Sequence, residues 1–267
     1  MSTEDVAREW TNRAWSGGNA TRFATTIVIV SERLCEAADV RAGQRILDVA
    51  AGTGNSALAA ARRNCSAVAL DYVPALLTSA RRRAMADALP LLAVAADGQS
   101  LPFPDGTFDA VVSTFGVMFV PDQELAAAEA ARVTRPGGTI AVASFTPKSL
   151  AAEFSLVAAR FVRPPRSLRP PVLWGDPEHV RTLFGAAAEE RAARTRDVVL
   201  RFPSSGHLVD FFAANFGPMK ETFRALSAER RGRLRDALIQ ATERWNRSGD
   251  PSAVVPFEYL EAVFRKR

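Results

Sequence analysis

The chain has 267 residues, of which 48% are hydrophobic and 24% charged, so it can bury a sizeable core and a disordered chain is excluded. No apolar run approaches the roughly 20 residues of a membrane-spanning helix, and the N-terminus lacks the basic and apolar regions of a secretory signal. The two cysteines, Cys35 and Cys65, match no disulfide framework or metal-ligand spacing. We therefore expect a cytoplasmic protein with no membrane span and no metal site.

The formal net charge is +5, from 34 basic and 29 acidic side chains. It is uneven along the chain, with −1 over residues 1–148 and +6 over residues 149–267. So small an overall excess is weak evidence for nucleic-acid binding. The asymmetry separates a nearly neutral first half from a basic second half.

The first elements are helical, and a regular alternation of strands and helices follows them. An apolar stripe at spacings of four, three and four predicts a helix through Phe23, Ile27, Val30 and Leu34. From residue 44 we predict strands at Arg45–Ala50, Ala67–Asp71, Leu91–Ala95, Ala110–Thr114 and Thr139–Phe145. Between them we predict helices near Ser56–Arg63, Val73–Ala88 and Gln123–Val133. Apolar strands with crossover helices indicate a doubly wound α/β fold with a mostly parallel sheet.

The alternation stops after Phe145. Four arginines and four prolines in Arg160–Pro171 predict a loop. Further strands are predicted at Asp197–Phe202 and Ala253–Phe264, with two apolar helical stripes between them, Leu208 to Phe216 and Leu234 to Trp245. We expect a seven-stranded Rossmann-like sheet made of three segments: N-terminal lid helices over residues 1–40, a core over 41–149, and sheet completion with a helical cap over 150–267.

The most informative segment is a strand that runs into a glycine turn at residues 46–55. Its Gly52-x-Gly54 pattern fits the dinucleotide fingerprint G-x-G-x-x-A, a weak signal when it stands by itself. Asp71, at the end of the second strand, suits a ribose hydroxyl, as such an acid does in folds that bind NAD and in folds that bind S-adenosylmethionine. The turn and Asp71 together leave both cofactors open.

Three further features favour S-adenosylmethionine. Asp48 stands four residues before Gly52, where a carboxylate would repel a pyrophosphate and would suit a cationic amino-acid end. Asp97-Gly98 follows the third strand directly, where an acid can accept a hydrogen bond from an adenine amino group. The turn Arg135–Gly138 precedes the fifth strand.

Together these motifs resemble the class I S-adenosylmethionine-dependent methyltransferases. The runs Leu101–Asp109 and Phe115–Asp122 are similar to the ubiquinone/menaquinone-type, small-molecule branch of that family. The resemblance is specific from Arg41 to Phe145 and looser over the rest of the chain. One departure is Ala50, where the family often has glycine.

The resemblance implies a role for each matching residue. Asp48 and the Ala50–Gly54 loop, with Gly52 and Gly54, would hold the methionine part of the cofactor. Asp71 would bind the ribose hydroxyls, Tyr72 would lie against the adenine, and Asp97 with Gly98 would read the adenine edge. The methionine end would be lined by Ser113, Thr114 and Phe115.

The acceptor side carries weaker signals. Methyl transfer is an in-line displacement that needs a base only when the acceptor must lose a proton. If one is used, His207 in the predicted cap is the candidate, whereas His179 at a helix start is expected to be structural. The aromatic residues that could wall a pocket are Trp10, Trp15, Phe115, Phe119, Phe145, Trp174, Phe211, Phe212, Phe216 and Tyr259. From this set we predict a substrate pocket lined by Trp15, Phe115, Phe145, Trp174 and Phe211.

A small-molecule acceptor is favoured for negative reasons. Val112–Phe115 is unlike the Asn-Pro-Pro-Tyr-type tetrad of enzymes that methylate planar amino groups, and no cysteine lies near the site. The alternatives are an RNA-modifying methyltransferase or RNA-binding protein that uses the basic half, with Arg160, Arg163, Arg166 and Arg169, an NAD-dependent oxidoreductase, and a protein that binds S-adenosylmethionine without transferring its methyl. The acceptor atom and the oligomeric state stay open.

Overall fold

The computed structural model describes residues 3–16, 20–165 and 167–267. The helices in these residues are α1 (Thr3–Ser16), α2 (Ala20–Thr25), α3 (Val28–Ala37), α4 (Asn55–Arg62), α5 (Pro74–Ala86), α6 (Gln123–Val133), α7 (Leu150–Ala159), α8 (Pro177–Phe184), α9 (Ser205–Asn215), α10 (Gly217–Arg224) and α11 (Ala228–Trp245). The strands are β1 (Arg45–Val49), β2 (Ser66–Asp71), β3 (Leu92–Ala95), β4 (Phe108–Thr114), β5 (Thr134–Phe145), β6 (Ala188–Phe202) and β7 (Ala253–Lys266).

All seven strands form one sheet in the order β3-β2-β1-β4-β5-β7-β6. The first five strands are parallel, and β7 runs antiparallel between β5 and β6. The predicted fold class, a mostly parallel seven-stranded α/β sheet, is confirmed. Residues of the C-terminal third supply its last two strands, so the sheet spans the chain from Arg45 to Lys266.

The strand order determines where a ligand can bind. From β1 the chain moves one way through α4 and α5 to β2 and β3, and from β4 it moves the other way through α6 to β5. Right-handed crossovers therefore place α4 and α5 on one face and α6 on the other. The order reverses between β1 and β4, and a crevice opens there beyond the carboxyl ends of the strands.

Local sequence explains why the later helices begin where they do. The side chains that accept a backbone N–H at a helix start are Asp122 before α6, Ser149 before α7, Asp176 before α8, Ser204 before α9 and Ser227 before α11. Short oxygen-bearing side chains at this position satisfy one of the free N–H groups of the first turn.

The N-terminal helix α1 docks on α10 at the open end of the crevice. Ala14 is buried there, and a Cβ built on Gly217 would lie 2.3 Å from the Ala14 carbonyl oxygen. Arg13 pairs with Glu221 at 3.3 Å on the same contact. Because Gly217 has no side chain, the two helix backbones can approach this closely.

The structure corrects the sequence-based elements at several places. The stripe Phe23 to Leu34 lies on two helices, because the chain turns at residues 26–27 between α2 and α3. Strand β6 begins at Ala188, nine residues before the predicted start, and its charged first part lies at the sheet edge, where no apolar alternation is required. Arg166 of the arginine run lies outside the described residues. Among the helices described, none is long and apolar enough to cross a membrane.

Candidate functional site

Two adjoining cavities occupy the crevice at the switch point, and both are lined by Ala50, Asp71 and Tyr72. We call the first the aromatic cavity, defined by the rings of Trp15, Phe23, Phe115, Phe119, Phe145 and Phe216. We call the second the acidic cavity, defined by Glu9, Asp71, Tyr72, Asp97, Gly98 and Gln99. Four loops after parallel strands and the helix α1 thus converge on one place.

The glycine loop, residues 50–54, has an unusual backbone. Ala50, Gly52 and Gly54 have φ angles of 53°, 55° and 84°, in the left-handed region that favours glycine. A Cβ on Gly54 would lie 2.9 Å from the Cβ of Ala80, whereas one on Gly52 would meet only open space. Ala50, the departure from the family pattern, therefore holds a conformation that is strained for alanine.

Asp71 joins the glycine loop to the end of β2. Its Oδ2 accepts the N–H of Gly52 at 2.8 Å, and its Oδ1 accepts the N–H of Val73 at 2.9 Å. The carboxyl group is buried, and burial raises its pKa. Asp71 lines both cavities, as expected of a residue that contacts the middle of a ligand spanning them.

Asp48 lies beneath the same loop. Its Oδ2 accepts the N–H of Ala57 at 2.9 Å, in the first turn of α4. Burial, together with the charge of Asp71, raises the pKa of Asp48 to about 7. No cation among the described residues pairs with Asp48. A buried carboxylate in that situation is unfavourable, so this position suits a ligand with a positively charged group.

The acidic cavity contains the adenine-reading residues predicted from the sequence. The backbone N–H of Gln99 donates to Asp97 Oδ1 at 2.9 Å, and its side-chain amide reaches both carboxylate oxygens at 3.1 Å. The Tyr72 hydroxyl is buried and has no hydrogen-bond partner in the part of the chain that the structure describes. Burial, followed by the charges of Asp71 and Asp97, raises the pKa of Tyr72. An orphaned hydroxyl in the cavity wall suits a polar ligand there.

The aromatic cavity is built from residues on both sides of the crevice. Phe115 stacks on Phe145 with ring centroids 4.0 Å apart. Trp15 of α1 meets Phe119 edge-on at 4.9 Å and Phe216 at 5.4 Å. Phe115 also has a positive φ of 52°, an outlier for a bulky residue of the kind that clusters at binding sites.

Five predicted site residues line neither cavity: Gly54, Ser113, Trp174, His207 and Phe211. Ser113 donates to the Val49 carbonyl at 2.7 Å and accepts the Val117 N–H at 2.9 Å, so it joins strand ends within the core. Trp174 is fully buried against Phe184, and Phe211 packs on Phe202. The assignment of the last two to the pocket is therefore corrected.

His207 is also corrected as a candidate base. Its ring is exposed and its Nδ1 lies 2.8 Å from the Ser204 hydroxyl at the start of α9, where it supports the helix cap. The residue lines neither cavity. The other histidine, His179, is hydrogen bonded to Gln123 at 2.8 Å and also lines neither cavity.

Several lining residues were not assigned to the site from the sequence. Phe119 and Phe216 belong to the wider aromatic set, and Phe23 to the apolar stripe, but nothing local distinguishes a pocket wall from a core residue. Gln99 follows Asp97-Gly98 directly and could have been found from that position. Glu9 and Asn12 of α1 line the acidic cavity and carry no sequence signal.

The electrostatics of the crevice bear on the choice of cofactor. The acidic cavity carries Glu9, Asp71 and Asp97, and no lysine or arginine is among the described residues that line either cavity. A pyrophosphate would meet carboxylates and no cation at this place. The charge distribution therefore opposes NAD and fits an adenosine with a cationic amino-acid tail.

Comparison with known proteins agrees with this geometry. Residues 47–142 match the methyltransferase domain family. The chain belongs to the class I S-adenosylmethionine-dependent methyltransferases, and its cofactor is S-adenosylmethionine.

Its relatives include both full-length and partial matches. A protein of Mycobacterium tuberculosis described as uncharacterized is 35% identical over 99% of this chain and 97% of its own length. A demethylmenaquinone methyltransferase of Thermus thermophilus is 44% identical, over 40% of this chain and 50% of that protein. The solved structure of a geranyl diphosphate methyltransferase with its cofactor has a TM-score of 0.53 at 18% identity, covering 90% of this chain and 85% of that one. At that identity the likeness shows the fold alone.

Proposed function

We propose that the protein transfers a methyl group from S-adenosylmethionine to a small apolar molecule with a flat ring, bound in the aromatic cavity. The observation that carries the proposal is the position of this cavity, which is lined on one side by the glycine loop and on the other by six aromatic rings. Flat rings bury well against such walls, and the rings also attract a sulfonium charge.

The cofactor, when bound, supplies an electrophilic methyl group on a sulfonium. In our proposal Asp48 and the glycine loop hold its amino-acid end, Asp71 accepts from the ribose hydroxyls, and Asp97 accepts from the adenine amino group. Phe115 and Phe119 then hold the acceptor ring and exclude water. Positioning of this kind alone provides several kcal/mol of the barrier reduction.

Among the described residues that line it, the aromatic side of the cavity carries no titratable proton acceptor. Its titratable lining residues are Asp48, Asp71 and Tyr72, all on the cofactor side. We infer that the reacting atom of the acceptor is either nucleophilic enough to attack before it loses a proton, as an amine nitrogen is, or acidic enough to ionise before it binds. A thiol, an acidic phenol or an arylamine meets that condition, whereas an aliphatic alcohol does not.

The proposal can be tested with S-adenosylmethionine labelled in its methyl group. We expect label transfer to a panel of phenols, arylamines and aromatic thiols, and none to aliphatic alcohols or total RNA. Phe119→Leu should lower kcat/KM for the best acceptor by about tenfold or more, because it removes part of the pocket wall. Phe211→Leu makes the same chemical change outside both cavities and should leave kcat/KM unchanged. Transfer to RNA alone, or equal losses in both variants, would contradict the proposal.

A further inference from the structure

Arg83 of α5 holds the back of the glycine loop. Its Nη1 donates to the Thr53 carbonyl oxygen at 2.7 Å and lies 3.1 Å from the Thr53 hydroxyl oxygen. Arg83 is half-buried, whereas its neighbour Arg82 is exposed. A long cationic side chain loses conformational entropy when it is held in this way. That cost must be offset by the loop conformation that the contact stabilises.

The same face of α5 touches the loop a second time. Ala80, one helical turn before Arg83, lies against Gly54, since a Cβ on that glycine would come within 2.9 Å of the Ala80 Cβ. On the other side, Asp71 accepts the N–H of Gly52. The loop is therefore held between α5 and the end of β2, with Gly52 and Thr53 fixed from opposite sides.

The contact also fixes the direction of two polar groups. The Thr53 carbonyl is directed to Arg83, so its negative end is not presented to the aromatic cavity, which Thr53 also lines. The Thr53 hydroxyl oxygen accepts from Arg83 and so keeps its own proton to donate elsewhere. Burial, and then the charge of Arg62, lowers the pKa of Arg83, but a guanidinium stays protonated in proteins.

We propose that Arg83 is a positioning residue that shapes the glycine loop to accept the carboxylate of the cofactor's methionine end. A carboxylate would be repelled by a carbonyl dipole that faced it, and it is favoured by an N–H or O–H donor. Arg83 directs the Thr53 carbonyl away from the bound carboxylate and leaves the Thr53 hydroxyl available as a donor. The inference depends on the proposed placement of the methionine end beside this loop.

The test compares two ligands that differ only at that end. S-adenosylhomocysteine carries the amino-acid tail, and methylthioadenosine lacks it. We expect Arg83→Met to weaken S-adenosylhomocysteine binding by about tenfold or more, as for the loss of a charge-assisted hydrogen bond, and to leave methylthioadenosine binding unchanged. Arg83→Lys should retain part of the affinity, because a lysine can still donate to the Thr53 carbonyl. Arg82→Met, on the exposed side of the same helix, should change neither. Titration calorimetry measures all of these affinities.

The outcomes distinguish a failure of this inference from a failure of the proposed function. If Arg83→Met weakens both ligands equally, or neither, the positioning role is wrong while the cofactor assignment stands. If the unaltered protein binds methylthioadenosine as tightly as S-adenosylhomocysteine, the placement of the methionine end is wrong and the inference fails with it. A thermal melt of Arg83→Met checks that the variant is folded, and Thr53→Val provides a second test. It removes the hydroxyl, keeps the carbonyl contact, and should also weaken S-adenosylhomocysteine selectively.

Discussion

The protonation state of Asp48 is expected to differ between the free and the ligand-bound protein. Its carboxyl group is buried beneath the glycine loop, and burial with the charge of Asp71 raises its pKa to about 7 from an ordinary 3.8. In the free protein the neutral form of Asp48 therefore persists to pH values well above those at which an ordinary aspartate ionises. An ammonium group bound beside it would favour the ionised form instead. Asp48 is thus poised to release a proton when the cofactor binds.

This predicts a characteristic pH dependence of binding. Below pH 7 S-adenosylhomocysteine must displace the proton from Asp48, so its affinity should rise by up to about tenfold per pH unit and level off above about pH 7. Asp48→Asn should bind more weakly, with a nearly flat profile between about pH 5.5 and 8. Titration calorimetry in buffers of different ionisation enthalpy measures both affinity and proton release. Parallel profiles for the two proteins would contradict the prediction.

The stability of the free protein should show the opposite slope. The folded state holds a proton on Asp48 that the unfolded state loses near pH 3.8. The free energy of unfolding should therefore fall as pH rises from about 4 to 7, by at most about 1.4 kcal/mol per pH unit for this group. Asp71 has the same sign of shift, so part of the slope should remain in Asp48→Asn. Urea titrations across this pH range measure the effect.

The strand pattern of the sequence locates residues at strand ends, but it does not locate residues whose surroundings depend on long-range packing. Asp48 and Asp71 lie at the carboxyl ends of β1 and β2, and Asp97 follows β3. The strand pattern therefore brings all three to one edge of the sheet, where they line the cavities. Trp174 and Phe211 were assigned to the pocket because they are large and aromatic. Their surroundings are set by α8 and β6, which no local pattern relates to the crevice.

At the scale of elements, α1 links the two cavities. Glu9 and Asn12 line the acidic cavity and Trp15 the aromatic one, so one helix contacts both ends of the proposed ligand pair. Its docking depends on Gly217, where a Cβ would lie 2.3 Å from the Ala14 carbonyl oxygen and 3.2 Å from the Trp15 ring. Neither α10 nor this contact was predicted, because a Gly-Pro start is more typical of a turn than of a helix that packs closely.

Gly217→Ala should displace α1 without unfolding the sheet. We expect faster amide hydrogen exchange confined to α1 and α10, together with weaker binding of S-adenosylhomocysteine. Gly232→Ala is the matched control, because a Cβ there meets nothing within 4 Å on the exposed face of α11. That change should stabilise the protein by roughly 0.5–1 kcal/mol and leave binding intact. Unchanged exchange of α1 in Gly217→Ala would show that the contact does not hold the helix.

At the scale of the whole molecule, the strand order and the charge of the crevice act together. The reversal between β1 and β4 creates a binding crevice that nucleotide-binding folds of several kinds share. The strand pattern of the sequence was sufficient to predict that crevice. The choice between cofactors depends on side-chain charge, because Glu9, Asp48, Asp71 and Asp97 surround the path that a pyrophosphate would take.

The rise in the free energy of unfolding on ligand binding tests which of the two cofactors the intact protein prefers. S-adenosylhomocysteine at 100 times its dissociation constant should raise the free energy of unfolding by about 2.7 kcal/mol. For a chain of this size that corresponds to a rise in Tm of roughly 5 °C or more. NAD at the same concentration should leave Tm unchanged, because no cation among the described lining residues offsets the repulsion of its pyrophosphate. Adenosine, which has neither pyrophosphate nor amino-acid tail, is the control and should stabilise weakly through Asp71 and Asp97. At about pH 8, where Asp48 is ionised, a shift with NAD that equals or exceeds that with S-adenosylhomocysteine would contradict the electrostatic argument. The crevice would then accept the phosphates that its four carboxylates should exclude.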